Sequence, residues 1–241
     1  MLPIRDENPT VIRPGVTIAL IALNVAIWVL VQGAGSEQAL QASVDVFGTV
    51  PCELTGACTA QGLTWSTVIT SMFMHGGWQH IIGNMVFLWV FGNNVEDVMG
   101  HTRFLVFYLV CGIAADAAHV LLSPGSAVPT VGASGAISGV MGAYILLYPH
   151  ARVQTWVPPI FIWRLKAWML LGYWFLLQVF GGLVQVGAEA GDQGGVAVWA
   201  HVGGFVAGLA LIKLFENPEL IARHRAMYGS GPDGPVAPAR W

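Results

Sequence analysis

Long runs of apolar residues constrain what this chain can fold into more strongly than any other feature of its sequence. An α-helix needs about 17–25 such residues to cross a bilayer, and six segments reach or approach that length. They are residues 16–32, 78–91 or 78–95, 104–122, 134–148, 167–186 and 196–214. Only 10% of all residues are charged, whereas soluble domains average about 25%. We therefore predict an all-α polytopic membrane protein, a bundle of six transmembrane helices.

The basic residues test this topology, because Lys and Arg accumulate in the cytoplasmic connections of membrane proteins. With six spans, all ten fall on one side: Arg5, Arg13, Arg103, Arg152, Arg164, Lys166, Lys213, Arg223, Arg225 and Arg240. The opposite connections hold acidic residues instead, namely Glu37, Asp45, Glu53, Glu189 and Asp192. We therefore expect both termini in the cytoplasm. Residues 1–15 and 215–241 would be cytoplasmic tails, the second one flexible, and 16–214 would form the membrane domain.

This orientation places Cys52 and Cys58 in a long external loop, where conditions are oxidising. A disulfide between them and two unpaired thiols are both open alternatives. Cys111 stands alone in the third span and is interpreted as a packing residue. No basic cluster indicates a nucleic-acid partner, and we expect no removable signal peptide. We expect the chain to reside in the plasma membrane of a prokaryote.

Polar and ionisable side chains within membrane spans are costly, so each is a candidate for function. Five matter here: His80, Asn84, Asp116, Ser134 and His201. His80 and Asn84 lie one helical turn apart on one face of the second span. The predicted topology puts these two, Ser134 and His201 at one depth, in the outer half of the bilayer. The alternatives are an interhelical hydrogen-bond clip for the His80 and Asn84 pair, a core histidine, and a packing serine.

Small residues could bring two of these helices into close contact. Gly135 and Gly139 recur every four residues on the fourth span, as do Ala200, Gly204 and Gly208 on the sixth. Faces of this kind let helix backbones approach closely. Such an approach would bring the Ser134 hydroxyl within hydrogen-bond reach of His201.

The residue types at this position are suited to peptide hydrolysis. Ser134 would be the nucleophile, and His201 the base that takes its proton and later protonates the leaving amine. His80, Asn84 and the backbone N–H of Ser134 would stabilise the oxyanion. Asp116 is the only acidic residue within the spans that could complete a triad, and a Ser–His dyad is the simpler reading. The sequence contains no His-Glu-x-x-His motif for a zinc protease.

The sequence resembles the rhomboid family of intramembrane serine proteases over residues 63–212. The motifs that carry the resemblance are Gly132-Ala133-Ser134-Gly135, Ala200-His201-Val202-Gly203-Gly204 and His80-Ile81-Ile82-Gly83-Asn84. It implies a six-helix rhomboid fold, the same four site residues, no metal or cofactor, and cleavage of transmembrane protein substrates in the lipid bilayer. It also implies that the fifth helix and the loop after it, including Asp192 and Gln193, gate substrate entry.

Two positions depart from the family pattern. Trp65 is followed by Ser66, where many rhomboids have arginine, and Ser138 stands where a tyrosine often stacks on the catalytic histidine. Neither change removes a catalytic group. Two other function classes remain open: a catalytically inactive rhomboid-like protein that binds membrane clients, and a small transporter or channel.

Overall fold

The described part of the chain contains ten α-helices, three β-strands and two short 3₁₀ helices, Gly33–Gly35 and Ser71–Phe73. A computed structural model describes residues 1–60, 64–159, 161–187 and 197–228, with backbone alone for 185–187. The helices are α1 (Gly15–Leu30), α2 (Glu37–Phe47), α3 (Pro51–Thr55), α4 (Thr67–Thr70), α5 (Trp78–Met99), α6 (His101–Leu122), α7 (Ser134–Leu147), α8 (Ala167–Gly187), α9 (Val198–Phe215) and α10 (Pro218–Tyr228). The strands are β1 (Leu2–Asp6), β2 (Arg152–Val157) and β3 (Phe161–Lys166).

Each predicted span corresponds to one α-helix. Within the described residues, α6, α8 over Ala167–Val184 and α9 are long and apolar enough to cross a membrane, while α1 and α7 are shorter apolar helices. The number of spans and their orientation stay predictions. The largest difference in length is at α5, which continues to Met99 because its polar end is buried and bonded rather than solvated.

Two buried carboxylates near the end of α5 hold the N-terminal segment. Glu96 accepts hydrogen bonds from the backbone N–H groups of Val16 and Thr17, both at 2.8 Å, at the start of α1. Asp97 Oδ1 accepts from the N–H groups of Val11 and Ile12, at 2.6 and 2.7 Å. A carboxylate at a helix N-terminus satisfies N–H groups that have no partner within the helix. The buried acidic residues therefore fix where α1 begins.

The fold is mostly helical, as predicted, but it is not all-α, because a small antiparallel sheet of order β1-β2-β3 joins the N-terminal tail to the connection between α7 and α8. The strand β2 pairs with β3 from Arg152↔Lys166 to Val157↔Phe161. Alternate residues of β2, Val153 and Thr155, are buried. These strands are too short to give a clear alternating pattern, and β1 meets a partner far away in sequence.

The predicted C-terminal tail begins with the helix α10, while its flexibility stays a prediction. Asn217 Oδ1 accepts the N–H of Glu219 at 3.0 Å, which caps the start of this helix, and proline follows at its first position. Ile221 is buried, and His224 Nε2 lies 2.9 Å from the carbonyl oxygen of Pro9. This helix is therefore packed on the N-terminal segment, while 229–241 lie outside the described residues.

The helix α7 lies at the centre of the fold, and nearly all of its residues are buried. It packs against α9 through the small residues predicted for this purpose. A side chain at Gly204 would collide with the carbonyl of Gly135, and one at Gly208 with the carbonyl of Gly139. The two backbones are thus in direct contact, as expected of small-residue faces in membrane helices.

Asp6 forms a buried polar cluster at the end of β1. Its Oδ2 accepts hydrogen bonds from Asn94 Nδ2 at 2.5 Å and from the Tyr144 hydroxyl at 2.9 Å. Burial raises the pKa of this carboxyl to about 7, in spite of the bond from Tyr144. Below about pH 7, Asp6 is therefore mostly protonated in the folded state.

We expect the free energy of unfolding to fall as the pH rises from about 4 to 7, because the folded state holds a proton there that the unfolded state releases. The contribution of Asp6 is full below pH 3.8, its ordinary pKa, and lost above about 7. It amounts to roughly 2–4 kcal/mol. Thermal unfolding in detergent at pH 5 and pH 8 measures it. In Asp6→Asn, whose amide oxygen can accept the same hydrogen bonds, the loss of stability between pH 5 and pH 8 should be smaller. An unchanged loss would show that Asp6 is not the group responsible.

Candidate active site

Ser134 is the first residue of α7, at the end of a segment that the loop between α1 and α5 holds in place. Gly132 donates its N–H to the carbonyl oxygen of Ser71 at 2.9 Å, and Thr130 exchanges two backbone hydrogen bonds with Thr49. The residue before Ser134, Ala133, is fully buried. The segment therefore enters the protein before the helix starts.

His201 lies in the first turn of α9 and faces Ser134. Its Nε2 is 2.7 Å from Ser134 Oγ, a hydrogen-bond distance. Its Nδ1 is 2.9 Å from Oε1 of Gln178 on α8. The ring of Trp174, also on α8, lies with its centroid 5.8 Å from that of His201. Three helices therefore meet at this imidazole.

Asp116 takes no part in this arrangement, so its candidacy as a triad member is wrong. Its Oδ2 accepts hydrogen bonds from the hydroxyls of Thr49 at 3.0 Å and Ser71 at 3.1 Å. Both partners belong to the loop between α1 and α5, which also supplies the contacts to the segment before Ser134. Asp116 thus fixes that loop on α6.

His80 and Asn84 present two hydrogen-bond donors to the same region. The N–H of Gly76 donates to His80 Nδ1 at 3.2 Å, so the ring hydrogen is on Nε2. That atom lies beside Gly132, where φ is +131° and an added Cβ would come within 2.6 Å of it. The Nδ2 of Asn84 is buried and has no partner among the described residues. Both groups can therefore donate to an incoming oxygen atom.

A single cavity of about 1300 Å³ joins these groups. It is lined by all four residues that the sequence predicts as the site, Ser134, His201, His80 and Asn84. A cavity larger than the usual 300–1,000 Å³ of small-ligand sites has room for a stretch of polypeptide.

Comparison with known proteins assigns the family. The model of the rhomboid domain matches residues 62–217. The chain belongs to the rhomboid family. The chain is 36% identical over 136 residues to rhomboid protease GluP of Bacillus subtilis, which covers 56% of this chain and 25% of that protein.

Relatives in organelles are also similar to this rhomboid. Rhomboid-like protein 11, chloroplastic, of Arabidopsis thaliana is 29% identical over 64% of this chain and 53% of its own length. Rhomboid protein 1, mitochondrial, of Saccharomyces cerevisiae is 33% identical over 39% of this chain and 28% of its own length. The chain thus spans about half or less of these curated relatives. With its membrane-spanning helices, family membership makes this rhomboid an integral membrane protein.

The two departures from the family pattern have structural consequences. Trp65 is 75% exposed, so it does not anchor the loop between α1 and α5 by burial. Ser138 donates its hydroxyl to the carbonyl oxygen of Ser134 at 2.6 Å, one helical turn back, and makes no ring contact to His201. Within the same loop, Cys52 and Cys58 form a disulfide, with their Cα atoms 5.2 Å apart.

Sequence reasoning missed two residues of this site, Trp174 and Gln178. They lie four residues apart within the predicted fifth span, where Gln178 is a polar residue in an apolar run. The principle that polar residues within spans are functional candidates was sufficient to select Gln178. The predicted cap formed by Asp192 and Gln193 lies outside the described residues.

Proposed function

We propose that this rhomboid is an intramembrane serine protease that hydrolyses peptide bonds in or near transmembrane segments of other proteins. The observation that carries the proposal is the 2.7 Å separation of Ser134 Oγ and His201 Nε2. A serine hydroxyl becomes a nucleophile when a positioned base removes its proton. The experiment that tests the proposal is cleavage of a model transmembrane substrate by the wild type and by Ser134→Ala.

Hydrolysis would proceed through an acyl-enzyme. Ser134 Oγ attacks the carbonyl carbon of the scissile bond while its proton passes to His201 Nε2. The C–N bond then breaks, and Nε2 returns the proton to the leaving amine. A water molecule next attacks the acyl carbon and gives a proton to Nε2, which passes it back to Oγ as the product acid leaves.

The oxyanion formed in both steps would bind in the donor site beside Ser134. The donors are His80 Nε2–H, Asn84 Nδ2–H and the backbone N–H of Ser134, which at the start of α7 has no partner within the helix. Donors that are fixed before the reaction stabilise developing charge without reorganisation. The free Nδ2 of Asn84 supports this role.

We propose a topology in which α1, α5, α6, α7, α8 and α9 each cross the bilayer and both termini are cytoplasmic. The one-sided distribution of the basic residues supports it. Residues 16–214 would be the membrane domain. The matched relatives come from a bacterium, a chloroplast and a mitochondrion, so residence in a prokaryotic plasma membrane stays a prediction, as does the absence of a metal or cofactor.

Asn84→Ala is expected to lower the rate of cleavage by less than Ser134→Ala does. One oxyanion donor is worth about 10²–10³ in rate, and the other two donors of this site remain. The expected loss is thus at most of that size and falls on kcat. Initial rates of cleavage in proteoliposomes measure it.

Asn24→Ala is a matched control, because Asn24 is also a buried asparagine, but among the described residues its side chain bonds only to the carbonyl of Leu20 within α1. Its kcat should equal that of the wild type. Equal rates for Asn84→Ala and the wild type would exclude Asn84 from the oxyanion site.

A further inference from the structure

Both ring nitrogens of His201 are engaged, and the second contact comes from a third helix. Gln178 is on α8, whereas Ser134 and His201 are on α7 and α9. Gln178 Oε1 lies 2.9 Å from Nδ1, while Ser134 Oγ lies 2.7 Å from Nε2. The imidazole is therefore held between the nucleophile and an uncharged amide.

An amide oxygen can only accept a hydrogen bond, so this contact requires the hydrogen of the neutral ring to be on Nδ1. The lone pair is then on Nε2 and is directed at Ser134. That tautomer can take the proton of the serine, and the other one cannot. Because an amide does not accept the proton itself, Gln178 would act on His201 without entering the proton transfer.

A second contact from α8 restricts the plane of the ring. Trp174 lies one helical turn before Gln178, and its ring is tilted by 41° to that of His201. It also contacts Phe205, one turn after His201, at a centroid distance of 6.1 Å. Position 138 holds a serine whose hydroxyl is bonded to the backbone of α7. In this chain the aromatic contact to His201 thus comes from α8.

We infer that Gln178 is a positioning residue that holds His201 in the tautomer able to activate Ser134. The inference rests on the proposed protease function. If Gln178 has this role, the activity depends on the contact between α8 and α9, because a side chain on α8 fixes the tautomer of a base on α9.

Replacement of Gln178 by leucine, which has a similar size but no acceptor, is expected to lower kcat about tenfold, as loss of one hydrogen bond of ordinary strength does. KM should not change, because Gln178 acts on the base rather than on the substrate. Gln178→Glu keeps an oxygen at the same reach and should restore at least half of the lost activity. Leu176→Ala on the outer face of α8, where the side chain is 66% exposed, is the matched control.

The tautomer itself can be measured without any substrate. Imidazole ¹⁵N spectra of the full chain distinguish protonated from unprotonated ring nitrogens, and the signals that His201→Ala lacks identify His201 among the seven histidines. We expect a hydrogen on Nδ1 in the wild type and in Gln178→Glu, and a mixture of tautomers in Gln178→Leu.

An unchanged tautomer in Gln178→Leu would overturn the inference, and so would an unchanged kcat or a loss expressed only in KM. A loss of thermal stability in Gln178→Leu with the wild-type tautomer would show a structural role and overturn it as well. A wild type that holds the hydrogen on Nδ1 but cleaves no transmembrane substrate would refute the proposed function, while the tautomer in Gln178→Leu would still decide the role of Gln178.

Discussion

Ser134→Ala is expected to abolish proteolysis by this rhomboid, with a loss of at least about 10⁴-fold, because removal of a catalytic serine costs up to about 10⁶ in soluble serine proteases. The substitution deletes the atom that attacks the carbonyl and leaves no group in its place. His201→Ala should give an equally complete loss, because it removes the Nε2 atom that lies 2.7 Å from Ser134 Oγ and takes its proton. Cleavage of a model transmembrane substrate in proteoliposomes measures both.

Labelling with a serine-directed fluorophosphonate separates loss of the nucleophile from loss of substrate binding. The wild type should be labelled, and Ser134→Ala should not. Ser138→Ala is the matched control, because its hydroxyl is one helical turn away and bonds to a backbone carbonyl. It should keep its label. Cleavage retained by either Ser134→Ala or His201→Ala would exclude the dyad, and a wild type that binds membrane clients without being labelled would be the inactive rhomboid-like protein.

The helices could be predicted from the sequence because their signal is local. The sequence of α6, for example, is apolar over most of its length. Charged residues beside such a run indicate where the helix ends. The four predicted site residues could be found for the opposite reason, since a histidine or asparagine inside such a run is costly and needs an explanation. The predicted topology places Ser134, His201, His80 and Asn84 at the same depth in the membrane. In the structure all four line one cavity.

The missed features depend on contacts between distant parts of the chain. β1 becomes a strand only because β2, with Trp156 opposite Leu2, supplies its hydrogen bonds. Glu96 is fully buried and caps α1 by accepting the N–H of Val16, which lies 80 positions earlier in the chain. Gln178 can be selected as a polar residue in an apolar run, but its role is defined by the ring nitrogen of His201 on another helix. Contacts between residues that are far apart in the sequence leave no periodic pattern in it.

Gly208→Ala is expected to inactivate and destabilise the protein, although it adds a single methyl group. Within a helix, alanine is usually more stable than glycine by about 1 kcal/mol, so the intrinsic effect has the opposite sign. Here the new Cβ would collide with the carbonyl oxygen, carbonyl carbon and Cα of Gly139. These are backbone atoms of the buried helix α7, and no side chain can move aside to make room.

The methyl group would therefore separate α7 from α9, and with them Ser134 from His201. A misplacement of about 1 Å in a catalytic group can cost about 10² in rate, and overpacking of this kind costs about 1–3 kcal/mol in stability. Gly172→Ala is the matched control, since a Cβ at this position on α8 has no atom within 4 Å. Cleavage rate and thermal unfolding in detergent should both fall for Gly208→Ala and stay unchanged for Gly172→Ala. If Gly208→Ala kept full activity, the direct backbone contact of α7 with α9 could not be what sets the distance between the serine and its base.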